Sequence, residues 1–167
     1  MILIRALIWS TLFIGLMLVF LPGQVLSTFG VTRPLTLGVA GIAGITIAVA
    51  GGALAAWCIL TFAVIGKGTP APFDPPRRLV VRGPYRYVRN PMYIGAGLVL
   101  VGAAVLYRSP ALIGYLLVLA IIIHAFVLGY EEPTLTRMFG ADYERYRSTV
   151  HRWVPRVPPA SRDGSAA

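Results

Sequence analysis

The feature that most constrains this chain of 167 residues is an apolar run from Leu35 to Ile65 that contains no charged residue. An α-helix rises about 1.5 Å per residue, so a helix of this length exceeds the ~30 Å hydrocarbon core of a membrane. The run is too short to cross twice, and we expect it to tilt, bend near Gly51-Gly52 or project beyond the bilayer. Because 57% of the residues are hydrophobic and only 13% are charged, the run indicates an integral membrane protein.

Three further apolar segments complete the predicted topology. They are Leu3 to Leu21, which Pro22-Gly23 is expected to end, Pro91 to Tyr107, and Ala111 to Tyr130. Only Arg108-Ser109-Pro110 separates the last two, and so short a link predicts an antiparallel helical hairpin. The sequence therefore predicts an all-α integral membrane fold with four transmembrane helices in one domain, residues 1–167. Asp142 to Val150 is predicted as a short cytosolic amphipathic helix.

The basic residues set the predicted orientation. The net charge is +9, and four spans place every lysine and arginine except Arg33 and Arg108 on one side. Positive residues accumulate on the cytoplasmic side, so we expect both termini and residues 66–90 to be cytosolic, with the protein in the cytoplasmic membrane. Charge carried beside long apolar runs suits anionic membrane lipids and argues against nucleic acid. An alternative is that residues 1–27 form a cleaved signal peptide, although their apolar run is long for one.

We interpret the cysteine and the glycines of the predicted spans as packing residues. The single cysteine, Cys58, has no second cysteine to pair with and no histidine at ligand spacing, so we expect neither a disulfide nor a metal site. Gly95, Gly97 and Gly102 favour close helix packing over a cofactor cradle. Glycine faces of this kind could also pack against a second copy of the chain and form a homodimer.

Two polar signals flank the predicted hairpin. The first is the stretch RGPYRYVRNPMYIG, Arg82 to Gly95, at the start of the third span, and the second is the acidic pair Glu131-Glu132 at the end of the fourth. Carboxylates at a membrane boundary are costly unless they are paired. One interpretation is that they meet Arg137 or an arginine of residues 82–89, and the other is that they bind a polar or cationic ligand. The hairpin brings both signals to the same membrane face, which favours a site.

These motifs resemble a known family. The stretch from Arg82 to Gly95, followed after the hairpin by Glu131-Glu132-Pro133, Phe139-Gly140 and Tyr143, is similar to the integral membrane methyltransferases that include the isoprenylcysteine carboxyl methyltransferases and phospholipid methyltransferases. The resemblance covers residues 77–156. It implies S-adenosylmethionine bound in a cytosol-facing pocket, formed by residues 77–95 and 131–156, and a lipophilic acceptor that enters from the lipid.

The resemblance also implies roles for individual residues. Those implied to line or bind the cofactor are Leu79, Val80, Tyr85, Asn90, Pro91, Met92, Tyr93, Glu131 and Glu132, and the chemistry of Arg89 adds it to this set. The chemistry of the residues agrees with this implication. Aromatic faces such as those of Tyr85 and Tyr93 attract a sulfonium cation, and carboxylates accept hydrogen bonds from hydroxyl or ammonium groups. The planar fork of Arg89 suits a cofactor carboxylate.

Departures from the family pattern bear on the acceptor. Asn90 stands where the carboxyl methyltransferases have histidine, and Val127 stands where they have the arginine that contacts the substrate. Both O-methylation of a lipid-like carboxylate and N-methylation of a lipid amine therefore stay open. Candidate catalytic residues are Arg89, Asn90 and His124. His124 is either a proton acceptor for the methyl acceptor or a hydrogen-bonded histidine between helices.

Two functions of other classes compete with the methyltransferase. A catalytically silent membrane scaffold or accessory protein would keep the fold without turnover, so cofactor binding separates it from the enzyme. A small transporter would show polar or broken helices near the membrane centre in two related halves. The segment from Leu35 to Ile65 carries no charge and no internal repeat is visible, which argues against transport.

Overall fold

A computed structural model describes residues 12, 15–32, 37–66 and 78–156, and the regular elements within these residues are all helical. They are a π-helical turn Gly15–Phe20, α1 Leu21–Thr28, α2 Val39–Thr61, a π-helical turn Phe62–Gly66, a 3-10 turn Gly83–Arg86, α3 Pro91–Tyr107, α4 Pro110–Phe126, a π-helical turn Val127–Glu131, α5 Glu132–Phe139 and α6 Ala141–Thr149. The predicted all-α class is therefore confirmed for the described residues.

Two continuous helices are long and apolar enough to cross a membrane, namely Val39–Gly66 and Pro110–Phe139. Two shorter apolar helices, Gly15–Thr28 and Pro91–Tyr107, accompany them. The predicted four-span topology and the amphipathic character of residues 142–150 stay predictions. Most of the predicted first span, together with the proposed signal peptide's first residues, lies outside the described residues.

Two helices extend beyond the ends that the sequence suggested. The first does not stop at Pro22-Gly23 but continues to Thr28. A proline lacks the N–H for one α-helical hydrogen bond, but Pro22 follows a π-helical turn in which that bonding pattern is already changed. The helix that begins at Pro110 likewise continues past Tyr130 to Phe139. It stops at Gly140, whose φ of 50° is a conformation that glycine adopts readily.

The contact between α2 and α3 depends on glycines from both helices. A Cβ atom on Gly102 would lie 2.5 Å from the Ala48 nitrogen and the Gly44 oxygen, and one on Gly95 would lie 2.8 Å from the Gly51 oxygen. Real Cβ contacts of this length do not occur, so the two backbones approach this closely only because these residues are glycines. The packing interpretation is confirmed for Gly95 and Gly102.

A tight turn joins α3 to α4. Arg108 adopts a left-handed conformation, with φ of 48°, and ends α3, while the buried Ser109 precedes the first residue of α4. Pro110 occupies the first turn of α4, where a missing backbone N–H costs nothing. The two residues reverse the chain and bring the start of α3 and the far end of the Pro110–Phe139 helix to the same end of the fold.

Candidate functional site

The segment that precedes α3 is fixed against the end of α2. Gly83 has φ of 59°, and a Cβ atom there would lie 3.2 Å from the Thr61 hydroxyl oxygen, so both conformation and space favour glycine. The following 3-10 turn buries Tyr85, which forms a core cluster with Cys58 and Val80. This anchoring explains why the RGPY sequence holds a defined shape without belonging to a long helix.

Tyr85 is held from a second side by α6. The Tyr146 hydroxyl donates a 2.6 Å hydrogen bond to the Tyr85 carbonyl oxygen. Burial raises the pKa of Tyr146, so its hydroxyl remains protonated and able to donate. Burial likewise raises the pKa of Tyr85, whose ring packs 5.3 Å from that of Phe62. Only 7% of Tyr85 is exposed, so any ligand that its ring contacts must lie within the fold.

Tyr93 and Glu131 connect the two polar motifs directly. The Tyr93 hydroxyl, on the first turn of α3, donates a 3.0 Å hydrogen bond to Glu131 Oε2, at the end of the π-helical turn. The two residues are 38 positions apart in the chain. The sequence expectation that the hairpin brings the RGPYRYVRNPMYIG stretch to the acidic pair is met at these two side chains.

Glu132 points to a different set of partners. Arg152 donates to both of its carboxylate oxygens, at 2.7 and 2.9 Å, and Arg89 lies 3.0 Å from Oε1. The side chains of Glu132 and Arg89 are each only 9% exposed. The hydrogen bond with Glu132 raises the pKa of Arg152 above its usual value. Glu132 therefore has the ion pair with an arginine of residues 82–89 that one sequence interpretation predicted, whereas Arg137 donates to Thr134.

The two neighbouring carboxylates diverge because successive side chains on a helix leave it in different directions. Val127–Glu131 adopts π geometry between α4 and α5. Glu131 then faces Tyr93, and Glu132 faces Arg89 and Arg152. Turns of this kind recur at functional sites in helical proteins. Nothing in the residue types of Val127–Glu131 indicates this geometry in advance.

Arg89 has one polar atom whose hydrogen-bonding capacity is unused. Its Nε is buried and, within the described part of the chain, has no hydrogen-bond partner. One terminal nitrogen contacts Glu132, and the same nitrogen lies 3.4 Å from the Tyr143 hydroxyl oxygen. Buried donors without partners are rare in folded proteins and call for an explanation such as a ligand or a water molecule. Arg89 is thus the described residue best suited to accept an anionic ligand group.

The remaining predicted cofactor residues surround these groups. Asn90 is buried and donates through Nδ2 to the Arg152 carbonyl oxygen, 3.3 Å away. Pro91 is fully buried in the first turn of α3, and Met92 packs against the Cys58 cluster. Leu79 packs instead against the cluster of Tyr143, Tyr146 and Val150. The structure therefore gathers most of the predicted residues in one region, but Leu79 and Val80 belong to two separate clusters.

Residues 150–156, which we name the C-terminal strap, contact the candidate site and lie within residues 131–156, which the resemblance implied for the cofactor pocket. Two backbone hydrogen bonds connect the strap to residues 87–89, from the Arg89 nitrogen to the His151 oxygen and from the Arg156 nitrogen to the Tyr87 oxygen. Arg152 binds Glu132, and Trp153 donates to His124. The strap has no helical or strand periodicity, so only its charge and its tryptophan could have signalled these contacts.

The arrangement suits a polar organic ligand better than a metal ion. Among the described residues, no group of three or more histidine, cysteine, aspartate or glutamate side chains could hold a metal. Tyrosine rings, a carboxylate and an arginine converge instead at the start of α3. These groups can bind cationic, hydroxyl and carboxylate functions in one ligand.

Comparison with known proteins agrees with this chemistry. A protein-family model described as phospholipid methyltransferase matches residues 36–142, well over half of the chain. Comparisons with curated proteins and with solved structures gave no significant match. The matched range includes α2 through α5 and begins well before the motifs that carried the resemblance. The family and the two long apolar helices together indicate an integral membrane protein. The chain belongs to the phospholipid methyltransferase family.

Proposed function

We propose that this protein transfers the methyl group of S-adenosylmethionine to a lipophilic acceptor at the cytoplasmic face of a membrane. The observation that carries the proposal is the Tyr93–Glu131 hydrogen bond, which joins the RGPYRYVRNPMYIG stretch to the acidic pair. Membership of a methyltransferase family supports the reaction class. The buried Arg89 Nε, which has no hydrogen-bond partner among the described residues, supports a bound anionic group beside the acidic pair.

The residues present fit the groups that this cofactor displays. Glu131 accepts from Tyr93 and keeps further acceptor positions for ribose hydroxyls or an ammonium group, because a carboxylate has about four lone-pair sites. Arg89 offers its Nε to the cofactor carboxylate. The Tyr93 ring, whose hydroxyl binds Glu131, is an aromatic face that a sulfonium cation could contact. Asn90, Pro91, Met92 and Tyr85 then shape the wall beneath them.

When bound, the cofactor supplies an electrophilic methyl group on a positively charged sulfur. The protein residues bind and orient, which suits a displacement that needs its reacting atoms in line in a dry pocket. Tyr93 and Glu131 fix one wall, and the Glu132–Arg89–Arg152 network fixes the strap that covers it. Glu132 acts in this proposal through Arg89, because both of its oxygens are engaged by arginines.

The proposed membrane arrangement follows the sequence prediction. Four helices cross the bilayer, including the shorter Gly15–Thr28 and Pro91–Tyr107, with both termini and the site in the cytosol. The polar segment around Arg89 then lies at the cytoplasmic interface, and so does α6. Helix α6 buries Tyr143 and Tyr146 toward the site and directs its charged residues toward water. The acceptor enters from the lipid.

The proposal is tested by incubating membranes that contain the protein with methyl-labelled S-adenosylmethionine and extracting the lipids. We expect label in the lipid fraction for the wild type and none for Glu131→Ala, with Asp142→Ala, an exposed acidic residue, as the matched control. Base-labile label would identify a methyl ester, and base-stable label in an amine headgroup would identify N-methylation. Absence of label in every lipid and small-molecule fraction, together with absence of cofactor binding, would favour the silent scaffold instead.

A further inference from the structure

Trp153 occupies a fixed position between the site and helix α4. The strap is held on both sides of Trp153, because the Arg89 backbone nitrogen donates to the His151 oxygen and the Arg156 backbone nitrogen donates to the Tyr87 oxygen. Arg152 also binds Glu132. The Trp153 ring centroid lies 6.4 Å from that of Tyr93 and 6.0 Å from that of His124. The Trp153 ring therefore packs near both the Tyr93 ring and the imidazole on α4.

The hydrogen bond between Trp153 and His124 determines which nitrogen of the imidazole carries a proton. The indole Nε1 can only donate, and it lies 3.0 Å from His124 Nδ1. His124 Nδ1 must therefore accept, and the neutral ring carries its hydrogen on Nε2. His124 Nε2–H is a donor in this arrangement, whereas the nitrogen with a lone pair is already occupied. This geometry disfavours His124 as the proton acceptor that one sequence interpretation suggested.

The exposed side of α4 leads from the lipid to this imidazole. Leu117, Ile121 and His124 follow one another at helical spacing and are all exposed, and Leu128 continues the stripe toward Glu131. In a membrane protein, an exposed apolar stripe of this kind faces lipid chains. A lipophilic molecule that lies along it brings its polar end to His124 and Trp153 before it reaches Tyr93.

We propose that His124 is a positioning residue for the methyl acceptor and that Trp153 holds it in the required tautomer. In this arrangement His124 Nε2–H donates to one anionic oxygen of the acceptor, either a carboxylate or a phosphate oxygen, and the Trp153 ring packs near both His124 and Tyr93. The inference deepens the proposed function and rests on it. It assigns no proton transfer to His124.

Nuclear magnetic resonance of the imidazole tests this inference without turnover. The chain contains only two histidines, so full-length protein with ¹⁵N-labelled histidine in phosphatidylcholine nanodiscs gives a simple spectrum, and a His151→Asn background leaves only His124. We expect the Nε2-protonated tautomer and a change in its resonances on adding oleate or oleyl phosphate, but none on adding oleylamine. Trp153→Phe should weaken that response. The anion that acts identifies the oxygen as carboxylate or phosphate.

Two outcomes of this experiment would overturn the inference. One is an Nδ1-protonated ring in the wild type, and the other is an equal response to oleylamine and to both anions or no response to either anion. These results do not depend on methyl transfer, so they separate failure of the inference from failure of the proposed function.

Kinetics with the acceptor identified by lipid labelling provide the second test. We expect His124→Leu to raise the acceptor KM about tenfold, the effect of losing one hydrogen bond to a charged group. S-adenosylmethionine affinity should stay within about twofold, because no cofactor group is assigned to His124. His124→Gln, which keeps a donor near the Nε2 position, should recover most of the lost affinity. An unchanged acceptor KM in His124→Leu, measured beside an active wild type, would refute the role assigned to His124 and leave the proposed methyl transfer standing.

Discussion

The Tyr93 hydroxyl donates a 3.0 Å hydrogen bond to Glu131 Oε2 and so joins the first turn of α3 to the end of the long Pro110–Phe139 helix. Each residue belongs to a polar motif at one end of an apolar helix. Their contact joins two motifs that the chain separates by a complete hairpin into one candidate site.

Tyr93→Phe should weaken S-adenosylmethionine binding while leaving the fold intact. The substitution removes the hydroxyl that orients Glu131 but keeps the ring, and a hydrogen bond to a charged group contributes about 1.5–3 kcal/mol, so we expect at least about a tenfold increase in Kd. Tyr107→Phe, at the other end of the same helix, is the matched control. Equal Kd values for the two variants would show that the hydroxyl does not organise the site.

Glu132→Gln should destabilise the protein far more than a comparable change at the surface. The substitution leaves the buried Arg89 without its ionised partner, and breaking such a pair costs about 3–5 kcal/mol in the free energy of unfolding. Asp142→Asn disrupts the Asp142–Arg145 pair, whose side chains are 75% and 79% exposed, and should change stability by less than about 1 kcal/mol. Unfolding in detergent micelles measures both. Similar losses in the two variants would contradict the assigned network.

Gly102→Ala should disrupt the packing of α2 against α3. Its new methyl group would lie 2.5 Å from backbone atoms of Ala48 and Gly44, which cannot move as a flexible side chain can. Overpacking of this kind costs about 1–3 kcal/mol. Gly97→Ala, on the same helix, meets nothing closer than 3.9 Å and should leave the thermal midpoint almost unchanged. A midpoint for Gly102→Ala as high as that of Gly97→Ala would rule out this packing.

Tyr146→Phe should reduce the loss of stability at alkaline pH. Burial raises the pKa of Tyr146 above its usual value of 10, which means that the fold favours the protonated hydroxyl that donates to Tyr85. Its contribution is fully present below about pH 10 and is lost as pH rises from there. Stability measured from pH 8 upward should therefore fall less steeply in the variant, which starts lower by about 1 kcal/mol at pH 8. An identical dependence of stability on pH in the wild type and Tyr146→Phe would contradict this role of the Tyr146 hydroxyl.

Sequence reasoning recovered the features that depend on composition and short-range pattern. The apolar runs predicted the long helices, and the three residues Arg108-Ser109-Pro110 predicted a tight link that the structure forms with Arg108 and Ser109. Pairing of Glu132 with an arginine was also predictable, because a carboxylate at a membrane boundary needs a partner. Which arginines pair with Glu132 was harder to predict, because Arg89 precedes Glu132 by 43 positions and Arg152 follows it by 20.

The features that were missed depend on backbone geometry and distant contacts. Proline and glycine at positions 22 and 23 suggested a helix end, but a preceding π-helical turn lets the helix continue. The π-helical turn at Val127–Glu131 is not indicated by its residue types, and helical periodicity separates Glu131 from Glu132 without identifying their distant partners. The strap has no regular structure, so the hydrogen bond between Trp153 and His124 could not be predicted from the spacing of residues.

Isothermal calorimetry of S-adenosylmethionine with the purified full-length protein in detergent tests the central claim most directly. We expect saturable binding to the wild type and to Asp142→Ala, and no measurable binding to Glu131→Ala, because Glu131 accepts from Tyr93 at the point where the two motifs meet. Absence of binding to folded wild-type protein, or wild-type affinity in Glu131→Ala, would contradict the assignment of this site.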